Sequence, residues 1–179
     1  MNKKILLITA FILVASLARL LPHAPNFTPM GAIALFAGAY ISNRFLAFVI
    51  PISAMILSDA LMGFSGWAFP MQVITVYISF ALITLIGMNM RNDKSALRVG
   101  ASSLGASVMF FVVTNFAVWL GGFYIMPALY PTNFVGLVTC YVAAIPFFTP
   151  TLAADLFYSS VLFGAFYLVQ INVPKLIQE

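Results

Sequence analysis

Asp59 and Asp155 fall within or beside long apolar stretches of this chain, where a carboxylate is expensive unless it is paired, hydrated or protonated. Each is therefore a candidate to bind a ligand or a proton. Each also has a structural alternative. Asp59 could cap the turn that starts at Ala60, and Asp155 could complement the positive end of a helix as a first-turn acid. Asn115 stands in Thr114-Asn115-Phe116-Ala117-Val118-Trp119, where an amide can bond a ligand or a neighbouring helix, the latter contributing about 0.6–2 kcal/mol. Trp119 follows by four residues on the same helical face and could stack on a ring-bearing ligand or belong to an interfacial aromatic belt. Trp67 reads as belt alone. His23, Asn26 and Tyr124 add an imidazole, an amide and a phenol in flanking loops.

This is a set for binding rather than for turnover. The sole histidine and the sole cysteine, Cys140, make neither a metal site nor a disulfide, and Cys140 reads as a small packing residue. The chain shows no Walker loop, Gly-x-Ser-x-Gly elbow, His-Glu-x-x-His motif or dinucleotide fingerprint. The expectation is a non-enzyme with no cofactor and no metal, without its own means of using ATP. The net charge of +4 does not point to nucleic acid, because the Lys and Arg residues stand between apolar runs and form no stripe.

The elements that must position these residues are membrane helices. The 179 residues are 63% hydrophobic and 7% charged, whereas soluble domains have about 45–50% apolar and about 25% charged residues. The chain reads as a single all-α transmembrane domain over residues 1–179, a polytopic bundle of about six helices. Its first span runs from Ile5 to Leu21. That stretch is expected to be a retained first helix; a signal peptide processed at Ser16-Leu17-Ala18, which shares the pattern, is the lesser alternative. The polar loop Pro22–Pro29 ends it. A short helix, Met30–Ile41, follows. Further spans are expected over Phe45–Gly63, Met71–Met90 and Val99–Leu120.

Lys3, Lys4, Arg44 and the Arg91–Arg98 segment fall on one side under alternating crossings, which makes that side and the N-terminus cytoplasmic. After a loop containing Tyr124, Tyr130 and Asn133, the apolar run Phe134–Phe148 is short for a crossing. It is expected to be a short or re-entrant segment. Thr149 would then cap a last helix opening at Pro150 and running to Val169, with Lys175 cytoplasmic. The outer ends collect His23, Asn26, Asp59, Trp67, Asn115, Trp119, Tyr124, Tyr130, Asn133 and Asp155. The inner side holds only solvated charges, so a binding site should open outward.

Gly31, Ala34 and Gly38 share one face of the short helix and permit close backbone approach, either inside the bundle or by a partner membrane protein.

With its polar, proline-rich loop Leu21–Pro29, small-residue helix Gly31–Ala39 and late Pro150 and Asp155, the chain resembles the substrate-binding S components of energy-coupling-factor (ECF) vitamin transporters. Through Asn26-Phe27-Thr28-Pro29-Met30-Gly31-Ala32 and Thr114–Trp119 it is also similar to uncharacterised bacterial membrane proteins related to that group. The resemblance implies a multi-pass protein of the bacterial cytoplasmic (inner) membrane that captures a vitamin-like micronutrient in an outward pocket. It also implies docking to a transmembrane coupling subunit with two ATPases. The expected binding set is Asp59, Asn115, Trp119, Tyr124, Asp155, His23 and Asn26, under a Leu21–Pro29 lid. Members of that family dock through an Ala-xxx-Ala patch in helix 1; the nearest match here, Ala34 to Gly38, lies in the second helix. A stand-alone proton-coupled carrier or channel using Asp59 or Asp155 is the alternative.

Overall fold

The computed structural model describes residues 3–64, 70–124 and 128–174. These form six α-helices and no strand: α1 (Lys3–Leu17, prolonged by a 3-10 turn over Ala18–Leu20), α2 (Met30–Tyr40), α3 (Arg44–Leu61), α4 (Pro70–Met88), α5 (Ala96–Gly121) and α6 (Phe134–Asn172). Four of the six are long and apolar enough to cross a bilayer, over Arg44–Leu61, Met71–Met88, Ala96–Gly121 and Phe134–Asn172. The outer surface agrees with that reading. Leu97, Phe134, Phe45 and Val14 are 69–85% exposed, and a surface so apolar is solvated by lipid, not water.

The short helix α2 is the core. All 11 of its residues are buried, and it touches each of the five other helices. Phe36 on α2 packs edge-on to Phe163 and Phe166 of α6 and stacks with Phe11 of α1. Small residues make this possible. A β-carbon on Gly38 would lie 2.2 Å from the Thr84 carbonyl oxygen, and one on Gly87 would lie 2.2 Å from that of Leu35, so α2 and α4 meet backbone to backbone. Gly31, Ala34 and Gly38 are thus spent inside the bundle, and the docking face expected of them is closed to any partner.

Polar termini are stapled locally. The side chains of Asn43, Ser95 and Asn133 accept hydrogen bonds from the backbone N–H groups of Leu46, Arg98 and Gly136, and so cap α3, α5 and α6. The C-terminus of α2 is capped from a distance. Arg91 donates from Nε to the Gly38 carbonyl at 3.1 Å and from Nη2 to the Ile41 carbonyl at 2.6 Å. Arg91 was expected to be a solvated topology charge; its half-buried guanidinium instead satisfies orphan carbonyls of the central helix.

The largest departure from expectation is α6. Phe134–Phe148 is neither separate nor re-entrant, and Thr149 and Pro150 do not start a helix: one continuous helix of 39 residues runs from Phe134 to Asn172 with Pro146 and Pro150 inside it. Proline is tolerated there because membrane helices can re-satisfy freed carbonyls through neighbouring hydroxyls and local adjustment. At ~1.5 Å per residue α6 measures about 58 Å, well beyond a ~30 Å hydrocarbon layer. Its far end returns Tyr167 and Gln170 to the vicinity of Lys4, so the six helices alternate in direction and both described ends of the chain lie at the same end of the bundle. The belt position expected for Trp67 and the side expected for Lys175 lie outside the described residues.

Candidate functional site

The packing of α5 against α6 opens a cavity. Tyr141 donates its hydroxyl proton to the Val112 carbonyl, and further along α6 Asp155 accepts from Ser107. Between these two levels α6 advances many more residues than α5, and both helical prolines lie in that stretch. Proline is a usual cause of helix bending, and a bend here would let the extra length of α6 stand off from α5 while Phe148 still packs on Phe111. The space enclosed is a cavity of about 530 Å³ lined by Phe110, Phe111, Thr114 and Asn115 of α5, by Phe148 and Thr151 of α6 and by Gln72 and Thr75 of α4, among others. Asn26, Val76, Phe110 and Thr151 also line a second space, of about 200 Å³, which reaches down to Met30 and Gly31 at the start of α2 and to Asp155 and Arg19. The two adjoin through these shared residues, the smaller lying at the N-terminus of the central helix, and together they make up a two-part chamber.

Asp155 forms part of its floor. The residue is 4% exposed, and its Oδ2 accepts a 2.6 Å hydrogen bond from Ser107 Oγ. Its carboxylate rests on Gly31, where an added β-carbon would lie 2.2 Å from Oδ1. The glycine therefore allows the acid to reach the first turn of α2, whose N–H groups lack partners within the helix and favour negative charge. The Ser103 carbonyl, 3.1 Å from Ser107 Oγ, is the alternative acceptor for that single hydroxyl proton, and Ser159 Oγ approaches Ser103 Oγ at 3.4 Å. Buried serines thus extend from Asp155 toward the opposite end of the bundle, with the Ser103 backbone carbonyl, not its hydroxyl, facing Ser107.

Asn115 lines the larger space and donates from Nδ2 to the Phe111 carbonyl at 2.8 Å, which leaves its amide oxygen to other donors. Asn26 lines both spaces. Its φ of 63° is left-handed, a conformation that Asn tolerates better than most residues, and it turns the loop after α1 over the chamber.

The other expected members stand elsewhere. Asp59 does not line the chamber: it is tied to Arg19 Nη1 at 2.5 Å and to the Tyr77 hydroxyl at 2.9 Å, joining the end of α1 to α3 and α4. Trp119 donates from Nε1 to the Pro131 carbonyl at 3.1 Å and packs against Phe116 and Phe123, which fastens the α5–α6 connection. Tyr124 is 75% exposed. His23 is exposed, and its Nδ1 contacts the neighbouring Ala24 carbonyl at 3.1 Å.

Six polar residues of the chamber wall, Arg19, Thr28, Gln72, Thr75, Thr114 and Thr151, were not in the expected set, nor was Ser107 beneath Asp155. Arg19 carried a readable signal. Among the described residues it is the one Lys or Arg at the end of the bundle away from Lys3, Lys4, Arg44 and the Arg91–Arg98 loop, and a cation placed against the charge bias needs an acidic partner or a ligand.

No curated protein and no solved structure matches the chain. A family profile matches residues 1–176, and the chain belongs to that family, DUF6580, a family of unknown function.

Proposed function

We propose that this protein is a membrane-embedded substrate-binding subunit that captures a small polar or vitamin-like micronutrient in the chamber above α2 and hands it to a separate ATP-driven coupling module. One observation carries the reading: amide and hydroxyl groups of Asn26, Gln72, Thr75, Thr114, Asn115 and Thr151 converge with the aromatic faces of Phe110, Phe111 and Phe148 on a single preformed cavity. Mostly apolar walls with a few placed polar groups are how small-molecule sites are built. Lys3, Lys4, Arg44, Arg91, Lys94 and Arg98 gather at the opposite end, which the positive-inside rule makes cytoplasmic in a bacterial inner membrane, so the chamber faces outward. The loop carrying Asn26 serves as its lid. With no nucleotide-binding motif in the chain, energy comes from a partner, a transmembrane subunit with two ATPases.

The test is mass spectrometry of small molecules retained by the full-length protein purified in mild detergent. Asn115→Ala and Asp155→Asn should lose the retained compound, and Tyr124→Ala, away from the chamber, should keep it. Equal retention by all three variants would sink the reading.

A second reading, a stand-alone proton-coupled carrier, draws on the buried Asp155 and the serines Ser107, Ser103 and Ser159 that follow it toward the opposite end. Asp155 is then the proton-carrying group, and Asp59, held by Arg19, is not. Uptake by this chain alone in vesicles, abolished by a protonophore, would favour it over the subunit.

A further inference from the structure

A second cavity, of about 880 Å³, lies at the other end of α2, where Lys4, Arg91 and Lys94 face it together with Tyr40 and Ser95. No Asp or Glu is among the described residues lining it. The nearest acid in sequence, Asp93, turns its carboxylate to the Ser95 N–H at 2.9 Å. Arg91 uses two of its five guanidinium donors on the carbonyls of Gly38 and Ile41, and Lys94 gives one ammonium proton to the Arg91 carbonyl while lying 5.3 Å from the centre of the Tyr40 ring. Both cations are thus fixed in place with donors to spare. Burial, followed by the charges of Lys4 and Arg91, holds the Lys94 ammonium below the usual lysine range, with the neighbouring Asp93 charge acting in the opposite direction.

The remainder of the cavity has a different character. It runs between α5 and α6 past Val99, Leu156, Phe163 and Gly164, and a β-carbon added at Gly100 or Gly164 would meet nothing within 4 Å. The glycines hollow the groove, and the exposed flanks Leu156 and Tyr167 place its edge at the lipid-facing surface. The site therefore joins a cationic head to an apolar trough.

We propose that this cavity binds the phosphate of an anionic amphiphile, with the phosphate between Lys4, Arg91 and Lys94 and an acyl chain along the α5–α6 groove. Basic pockets between helices at the cytoplasmic surface suit anionic lipid headgroups. A soluble phosphate ester offers the same head chemistry without the chain.

Native mass spectrometry of the full-length protein, titrated with phosphatidylglycerol, phosphatidylcholine or soluble glycerol phosphate, tests this. Phosphatidylglycerol should bind in preference to phosphatidylcholine, and Lys4→Gln/Lys94→Gln should weaken its binding on the order of tenfold or more. Arg91 is left intact because it caps α2; Lys94→Gln alone repeats the measurement with a milder change. Glycerol phosphate binding that depends on the same lysines, with no preference between the two lipids, would assign the site to a soluble phosphate and overturn the acyl-chain part of the proposal. Lipid binding that ignores headgroup charge, or survives loss of both lysines, with no glycerol phosphate bound, would overturn the site altogether.

Discussion

The Arg19 guanidinium lies 2.5 Å from the Asp59 carboxylate, across the gap between the end of α1 and the last turns of α3. The pair is largely buried, and Tyr77 of α4 completes it. Deleting one member of such a pair strands the other charge, which costs about 3–5 kcal/mol where burial is complete and less on the partly open Arg19 side. Arg19→Met and Asp59→Leu should each lower the thermal midpoint in detergent. The double variant should lie well above the additive expectation, and a double-mutant cycle on thermal unfolding reads the coupling.

Gly31→Ala places a methyl group where Asp155 now sits. We expect a loss of roughly 1–3 kcal/mol from overpacking. Adding Asp155→Ala to that variant should recover much of it, because the clash is with the carboxylate itself. Thermal unfolding of the two single variants and the double checks this, and a double variant no better than Gly31→Ala would refute the contact.

Arg91→Met removes the remote cap of α2 and should cost about 1–3 kcal/mol for carbonyls left unsatisfied. Its signature is local. Hydrogen exchange should accelerate in the last turn of α2 and leave α3 unchanged.

The part the two prolines of α6 play in shaping the chamber can be tested by Pro146→Ala/Pro150→Ala. Proline costs ~3 kcal/mol within an ordinary helix, so the substitution should favour a straighter α6 and raise thermal stability. It should also narrow the chamber and reduce retention of the captured compound. Higher stability with undiminished retention would show that the prolines do not shape the cavity.

Much of this architecture is legible in the chain. Apolar runs locate the helices, and the segregation of Asn26, Asn115 and Asp155 from the basic loops foreshadows a chamber at one end. Three features escape for physical reasons. Small residues at Gly31, Ala34 and Gly38 signal close approach without saying to what, and here the partners are α4 and the Asp155 carboxylate. Pro150 after Thr149 has the chemistry of a helix start, but the same residue is admissible inside a membrane helix, so Phe134–Phe148 reads as separate when it is not. Asp59 and Asp155 look alike in sequence. Only the fold shows that one is satisfied by Arg19 and Tyr77 while the other borders the cavity.

The brevity of α2 has an electrical consequence. Eleven residues at ~1.5 Å each give about 17 Å of helix, with a cavity at either end, whereas the hydrocarbon layer is ~30 Å thick. Were water to fill both cavities, the low-dielectric barrier between them would be about the length of α2, little more than half a hydrocarbon layer. A transmembrane potential would then be concentrated across that short helix, with Asp155 at its edge.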